Sequence, residues 1–279
     1  MVRPEARRAA VRHVQSSFGL SERSACRALG VPRASQRYVS TKEPQDALLA
    51  RMRDLASKRP RAGYRTLYRL LRREGCTANH KRVYRLYRID GLSLRIKRRK
   101  RRAASKREQP PIPMKPNDRW AMDFVSDYTS DGRRFRILTL IDTFTRRAPG
   151  VIVERSISGL RLVRFLDEIA AKFGYPKTIT VDNGPEFISK ALDQWAHAHG
   201  VTLHFSRPGK PVDNAFIESF NGRLREECLN TNWFYGLDDA RELIGEWLVD
   251  YNEQRPHSSL AGLTPAEYER AQLRTAAMA

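Results

Sequence analysis

Asp123 interrupts the apolar run Trp120-Ala-Met-Asp-Phe-Val125. A central strand position normally takes an apolar side chain, and a carboxylate placed there calls for a cation or a metal. Asp182 closes the short apolar run Thr178-Ile-Thr-Val181 and precedes Asn183-Gly184-Pro185. It reads equally as the first residue of a turn and as a ligand at a strand end, where open sheets bind their substrates. Glu218 lies in Asp213-Asn-Ala-Phe-Ile-Glu-Ser-Phe-Asn-Gly-Arg-Leu-Arg225. At about 100° per residue, Asn214, Glu218, Asn221 and Arg225 share one helix face, and Ile217, Phe220 and Leu224 share another. A helix docked through its apolar stripe would present the polar one to a cleft. Taken alone, that polar stripe also reads as a solvent face with Glu218 close to Arg225. Asp127, Asp131 and Asp142 lie nearer turns, where aspartate bonds local backbone.

The elements that must position these acids follow from periodicity. Residues 121–128, 135–142 and 149–154 read as successive strands, with turn signals at Ser130-Asp-Gly132 and across 143–148. A helix is predicted over 158–173, a strand over 178–181, a helix over 189–199 and a strand over 201–205. Helices follow over 213–229 and 238–251, with Asp213 as a cap. Three consecutive strands and then alternating helix and strand describe an α/β unit, a mixed sheet flanked by helices. Thr264, Pro265 and Glu267 are the N-cap, first and third residues of a further helix. Trp120, Trp195, Trp233 and Trp247 are read as core, and Arg255 and His257 as structural. Glu186 is placed beside the acids or toward bound DNA. His197, His199 and His204 lack the ligand number and spacing of a zinc site.

Charge separates the two halves of the chain. Residues 1–110 carry 31 Lys and Arg against 8 Asp and Glu, whereas residues 111–279 carry 21 against 23. A net +23 in one half opposes folding unless a polyanion relieves it, and arginine forks suit phosphate. That half is predicted to be all helical. Residues 25–37 read as helix-turn-helix, with Ser21 as cap, Gly30 at the break and Arg33, Gln36 and Arg37 offered to DNA. Residues 44–95 hold three more helices, closed by Gly75 and Gly91, with Arg65, Lys81, Arg82 and Arg85 facing outward. Tyr64, Tyr68, Tyr84 and Tyr87 are read as core rather than base-stackers. The run from Lys97 through Arg98 and Arg99 to Arg102 precedes a segment with four prolines and reads as a phosphate-tracking linker. The boundaries are therefore 1–42, 43–96, a linker 97–116, a core 117–230 and a helical extension 231–279. No apolar run reaches the ~18 residues of a membrane helix. Cys26, Cys76 and Cys228 are too few and scattered for a disulfide framework, which points to a reducing cytoplasm.

Thirty-five residues separate Asp182 from Glu218, and Arg225 follows Glu218 by seven. Asp123, Asp182, Glu218 and Arg225 at this spacing resemble the signature of retroviral-integrase-like DDE transposases. The stretches 182–187 and 213–222 match that superfamily around its catalytic residues. The segment Tyr251-Asn-Glu-Gln-Arg-Pro-His-Ser-Ser-Leu260, continuing to Tyr268, looks like the C-terminal hallmark of bacterial insertion-sequence transposases. Gly63-Tyr-Arg-Thr-Leu67 and Lys81-Arg-Val-Tyr-Arg-Leu-Tyr87 look like the helix-turn-helix region of the IS-three group.

The resemblance implies a ribonuclease-H-like catalytic core behind helix-turn-helix DNA-binding modules, with Asp123, Asp182 and Glu218 as catalytic metal ligands. Gathered carboxylates repel unless divalent cations neutralise them, and an all-oxygen set favours two Mg²⁺ or Mn²⁺ ions. Arg225 and Lys210 are expected on DNA phosphates. The implied activity is strand cleavage followed by 3′-OH strand transfer at element ends. The implied partners are duplex DNA, further copies of the chain and an upstream-frame DNA-binding protein, in the bacterial cytoplasm at the nucleoid. A catalytically inactive DNA-binding regulator derived from a transposase, or a structure-selective nuclease, remains the alternative.

Overall fold

The computed structural model describes residues 4–38, 46–94, 113–184, 186–206 and 214–278. Contacts divide the chain into two compact units, Met1–Ala50 and Arg51–Ala279. In the first unit, α1 (Pro4–Phe18), α2 (Glu22–Ala28) and α3 (Arg33–Arg37) close over Val11, Ala25, Cys26 and Val31. The Ser21 hydroxyl accepts the Ser24 N–H at 3.2 Å, capping α2. Gly30 then takes φ +61°, the left-handed conformation that ends the helix without a Cβ penalty.

Helix α4 (Asp46–Lys58) is followed by α5 (Tyr64–Arg73) and α6 (His80–Ile89). Their apolar positions bury Met52, Leu55, Leu67, Leu71, Val83 and Leu86. Of the four tyrosines read as core, Tyr87 is buried but Tyr84 is exposed. Tyr84 stacks obliquely on Tyr64, ring centroids 4.7 Å apart, so one face of its ring stays in water.

Five strands form one sheet in the order β3-β2-β1-β4-β5. They are β1 (Arg119–Tyr128), β2 (Arg134–Asp142), β3 (Gly150–Glu154), β4 (Thr178–Val181) and β5 (Thr202–Phe205). The first three pair antiparallel, and β4 and β5 continue parallel to β1. Alternation along β1 sends Trp120 and Met122 to one face and Ala121, Asp123 and Val125 to the other. The first face packs against α7 (Gly159–Phe173) and α8 (Lys190–Ala198) through Leu138, Leu140, Phe165, Leu166 and Trp195. The second is covered by α9 (Ala215–Glu227) and α10 (Leu237–Val249), through Ile217, Phe220, Leu224 and Ile244. Asp123 therefore points toward α9.

A π-helical turn, Asp250–Gln254, follows α10, and α11 (Pro265–Met278) ends the chain. Thr264 and Glu267 bond each other's backbone N–H at 3.2 and 2.9 Å, a capping box at the start of α11. The Glu267 carboxylate also receives both Arg73 η nitrogens from α5, and Asp250 receives Arg59, so the α5–α6 module rests against these C-terminal elements.

Trp233 departs from the sequence expectation. It is 79% exposed and Tyr235 is 80% exposed, whereas Phe234 between them is buried against Phe135 with centroids 5.5 Å apart. The Phe234 carbonyl accepts the Ser130 N–H at 2.7 Å. One aromatic of the three anchors the loop, and its neighbours point outward.

Candidate active site

The β1–β4 register pairs Arg119 with Thr178 and Ala121 with Thr180. Asp182 follows the last residue of β4, so this register carries it toward Asp123, near enough for the two carboxylates to repel each other. Sheet topology thus brings together two acids that lie far apart along the chain. The loop after Asp182 is fixed from three sides. Gly184 N–H donates to Asp182 Oδ1 at 3.0 Å, and the Asn183 amide donates to Ser206 O at 3.0 Å. The wholly buried Phe187 packs on Phe124, centroids 5.0 Å apart. A Cβ on Gly184 would lie 3.0 Å from Asp182 Oδ1, so a larger residue there would push the Asp182 carboxylate by a few tenths of an ångström, while its 3.4 Å approach to Glu186 Oε2 is ordinary contact.

The third acid comes from α9. Its polar stripe emerges as the spacing requires: Glu218, Asn221, Gly222 and Arg225 line an open cleft whose other wall is Asp123, Phe124, Val125 and Ser126 of β1. Asn221 Nδ2 donates to Asp123 Oδ2 at 2.8 Å, while Asn221 Oδ1 accepts the Thr139 hydroxyl at 2.8 Å. Thr139 is the β2 partner of Asp123 and is fully buried. Phe124 N–H supplies the second bond to the Asp123 carboxylate, at 2.7 Å to Oδ1. Burial nevertheless pushes the Asp123 pKa above the usual carboxylate range, and repulsion from Asp182 and Glu218 pushes it the same way. The two hydrogen bonds oppose that shift without cancelling it.

Asp123, Asp182 and Glu218 pair with no Lys or Arg among the described residues. Asp123 is half-buried and Asp182 and Glu218 are exposed, and carboxylate oxygens without a cationic partner are the donor chemistry of a hard divalent cation. Among the described residues, however, no three acidic, histidine or cysteine side chains close into a metal cage. The residues fit Mg²⁺ or Mn²⁺ in type, and their carboxylates would have to converge to hold it.

The cations expected near DNA fall into three groups. Arg225 makes no pair with Glu218 and instead donates to Ser126 O at 3.3 Å, beside Arg134, which reaches the Ser126 hydroxyl at 2.8 Å. Both guanidinium groups therefore stand at the rim of the cleft. Arg65, Lys81, Arg82 and Arg85 are exposed, as their outward helix positions predict. In the first unit, Arg33 and Arg37 both bond Glu22, at 2.9 and 2.8 Å, and Gln36 Nε2 donates to Arg8 O at 3.5 Å. The five-residue α3 thus offers a partly neutralised face. Lys97, Arg98, Arg99, Lys210 and the cap Asp213 lie outside the described residues.

Several groups around the site are not singled out by sequence reasoning. Asn221 is legible only as a member of the polar stripe. Its signal is its place three residues after Glu218, on the same face. Thr139 is signalled by a hydroxyl within the apolar run Ile137-Leu-Thr-Leu-Ile141. Arg136 neutralises Glu186 and lies 4.1 Å from the Phe124 ring centroid. That pairing draws the Glu186 pKa down and leaves Glu186 a poor candidate for a shared proton.

Comparison with known proteins identifies the family of the chain. Residues 113–211 and 199–265 match two families described as integrase core domain, and residues 43–101 match an HTH-like domain. A 31.7 kDa protein of insertion element IS407 from Burkholderia multivorans is 48% identical over 91% of this chain and 92% of its own length. A 39.2 kDa protein of insertion element IS476 from Xanthomonas euvesicatoria is 43% identical over 95% of this chain and 77% of its own. Both carry names that leave their activity uncharacterized. Among solved structures, the simian T-cell lymphotropic virus intasome matches 78% of this chain and 74% of its own, with TM-score 0.51 at 17% identity. The HTLV-2 integrase catalytic core domain, solved with magnesium, matches 56% of this chain and 98% of its own, with TM-score 0.46 at 19% identity.

Proposed function

We propose that this chain, which belongs to the integrase-core, HTH-like-domain proteins of insertion elements, is a DNA transposase that cleaves and rejoins strands at its element's ends. The observation that carries the reading is Asp123: a half-buried carboxylate in the cleft it shares with Glu218 of α9, repelled by both Asp182 and Glu218, raised in pKa and matched by no cation among the described residues.

Asp123, Asp182 and Glu218 are the residues that would hold two Mg²⁺ or Mn²⁺ ions. When bound, such a pair supplies charge stabilisation for the attacking and leaving oxygens of an in-line phosphoryl displacement. The chain's own groups do the rest. Asn221 and Phe124 N–H orient the Asp123 carboxylate, and Gly184 N–H orients that of Asp182. Arg225 and Arg134, both bonded to Ser126 at the rim of the cleft, would take the phosphates of a strand leaving it. Arg65, Lys81, Arg82 and Arg85 give the helical module the charge to hold the element's terminal repeat. The nucleophile is water in the first reaction and the freed 3′-OH in the second, so no covalent protein–DNA link is required. Work on two ends implies several copies of the chain, with an upstream-frame protein as a further partner. Its site of action is the nucleoid.

Asp182→Asn tests this directly. At matched salt the variant should bind duplex carrying the element end with unchanged or higher affinity, and it should lose Mg²⁺- or Mn²⁺-dependent cleavage and joining. Specific cleavage persisting in the variant would remove the catalytic assignment. A wild-type chain that binds ends but never cleaves would establish the DNA-binding regulator instead.

A further inference from the structure

The last turn of α9 carries Glu226 and Glu227 beside Arg225, and an acid at a helix C-terminus, where unpaired carbonyls already concentrate negative potential, calls for a cationic partner. Glu227 is also largely buried. Its carboxylate accepts two parallel bonds from Arg255, Nε to Oε2 at 3.0 Å and Nη2 to Oε1 at 2.8 Å, with side chains only 14% (Arg255) and 19% (Glu227) exposed. Seven residues earlier on α9, Phe220 is buried and meets the Tyr251 ring edge-on at 4.9 Å. Tyr251 in turn meets His257 edge-on at 4.7 Å. The π-helical turn Asp250–Gln254 makes this possible, because its extra residue re-aims the chain so that Tyr251 and Arg255 both face α9. Asn252 in the same turn donates to Ala148 O at 2.8 Å and accepts Ala148 N–H at 3.0 Å, fixing the segment to the chain just before β3.

We propose that Tyr251, Asn252, Arg255 and His257 form a positioning clamp that indexes α9 against the sheet, gripping it at Phe220 and Glu227 so that Glu218 and Asn221 meet Asp123. Helical geometry puts Phe220 about 160° from Glu218 and about 100° from Asn221, so the clamp holds the helix from behind its cleft face. A rotation of about 20° moves a side chain on a cylinder roughly 5–6 Å in radius by about 2 Å. Catalytic groups tolerate only about 0.5 Å of displacement. Arg255 acts here as a positioning residue, through Glu227. The clamp is not a proton switch: burial and the neighbouring Arg255 hold the His257 pKa down to about 3, so its ring is neutral at working pH.

This inference rests on the transposase reading for its consequence in rate, and on the fold alone for its consequence in motion. Arg255→Lys keeps the charge and loses the fork; Glu227→Gln keeps the shape and loses the charge. Each full-length variant should cleave an element-end oligonucleotide with kcat lowered roughly ten- to hundred-fold. KM and DNA affinity should stay within about two-fold of wild type. In metal-free protein, backbone amides of 217–225 should exchange hydrogen faster while those of β1 and β2 do not. Wild-type kcat and wild-type exchange in both variants would overturn the clamp. So would kcat falling only in step with DNA affinity, or exchange accelerating throughout the sheet, since either describes general loosening. If the wild-type chain proves not to cleave DNA, the exchange comparison alone decides the clamp, and the transposase reading fails separately.

Discussion

Asn221→Leu removes a side-chain donor to Asp123 while keeping the same branched heavy-atom skeleton. In the wild type that donor reaches Asp123 Oδ2 at 2.8 Å, inside a half-buried wall of the cleft. A hydrogen bond to a charged group contributes about 1.5–3 kcal/mol. If the bond orients the reactive carboxylate, its loss lowers kcat by roughly 10- to 150-fold. The electrostatic consequence has a definite sign. Asn221 lowers the Asp123 pKa against burial and against Asp182 and Glu218, so without it the pKa rises further. The carboxylate must be ionised to receive a cation, so the rising limb of the rate–pH profile should move to higher pH in Asn221→Leu. The assay is single-turnover cleavage of an end oligonucleotide across pH at fixed Mn²⁺, with DNA binding measured in parallel. Thr139→Val, which removes the hydroxyl donated to Asn221 Oδ1 at 2.8 Å, should move both quantities the same way by less. A variant with wild-type rate and an unmoved limb would refute the assignment of Asn221 as the orienting group for Asp123.

Two further outcomes concern stability and DNA affinity. His257 has a folded pKa of about 3, below its unfolded value of 6.5, so its contribution to stability is present above 6.5 and is lost as pH falls through the folded value. His257→Phe, which keeps a ring against Tyr251, should flatten the stability–pH curve between those two values in chemical denaturation; an unchanged slope would contradict the buried, neutral imidazole. Replacing Arg65, Arg82 and Arg85 together by alanine should weaken duplex binding at all sequences. It should also lower the log–log salt slope by about one for each phosphate no longer neutralised, read by fluorescence anisotropy at several salt concentrations. An unchanged slope would take the α5–α6 module off the phosphate backbone.

The periodic elements are legible in the sequence because each is decided locally. The stripe Ile217, Phe220, Leu224 foretells which side of α9 is buried, and the alternation Ala121, Asp123, Val125 foretells that Asp123 leaves the other face of the sheet. The glycine stops at Gly30, Gly75 and Gly91 are legible for the same reason, and all three take positive φ. Contacts between distant segments are not legible. Asn221 and Asp123 are 98 residues apart, and their hydrogen bond exists only because α9 crosses β1 in one register. The choice of Glu22 by Arg33 and Arg37, and of the Ser126 carbonyl by Arg225 over Glu218, depends on distances that no sequence spacing contains. Trp233 escapes the expectation because residue type sets a preference for burial, while the loop buries Phe234 instead.

That outlying indole has a practical consequence. Trp120 and Trp195 are sealed in the interior, so Trp233 is the tryptophan most open to a collisional quencher such as iodide. Its backbone is tethered through Phe234 to the β1–β2 turn, so its shielding reports on what lands there rather than on the loop wandering. The chain thus carries an intrinsic optical gauge beside the β1–β2 turn, beyond the end of β1, which lies about 17 Å from Asp123 by strand rise. It needs no label to register when a nucleoprotein assembly closes over that end of the sheet.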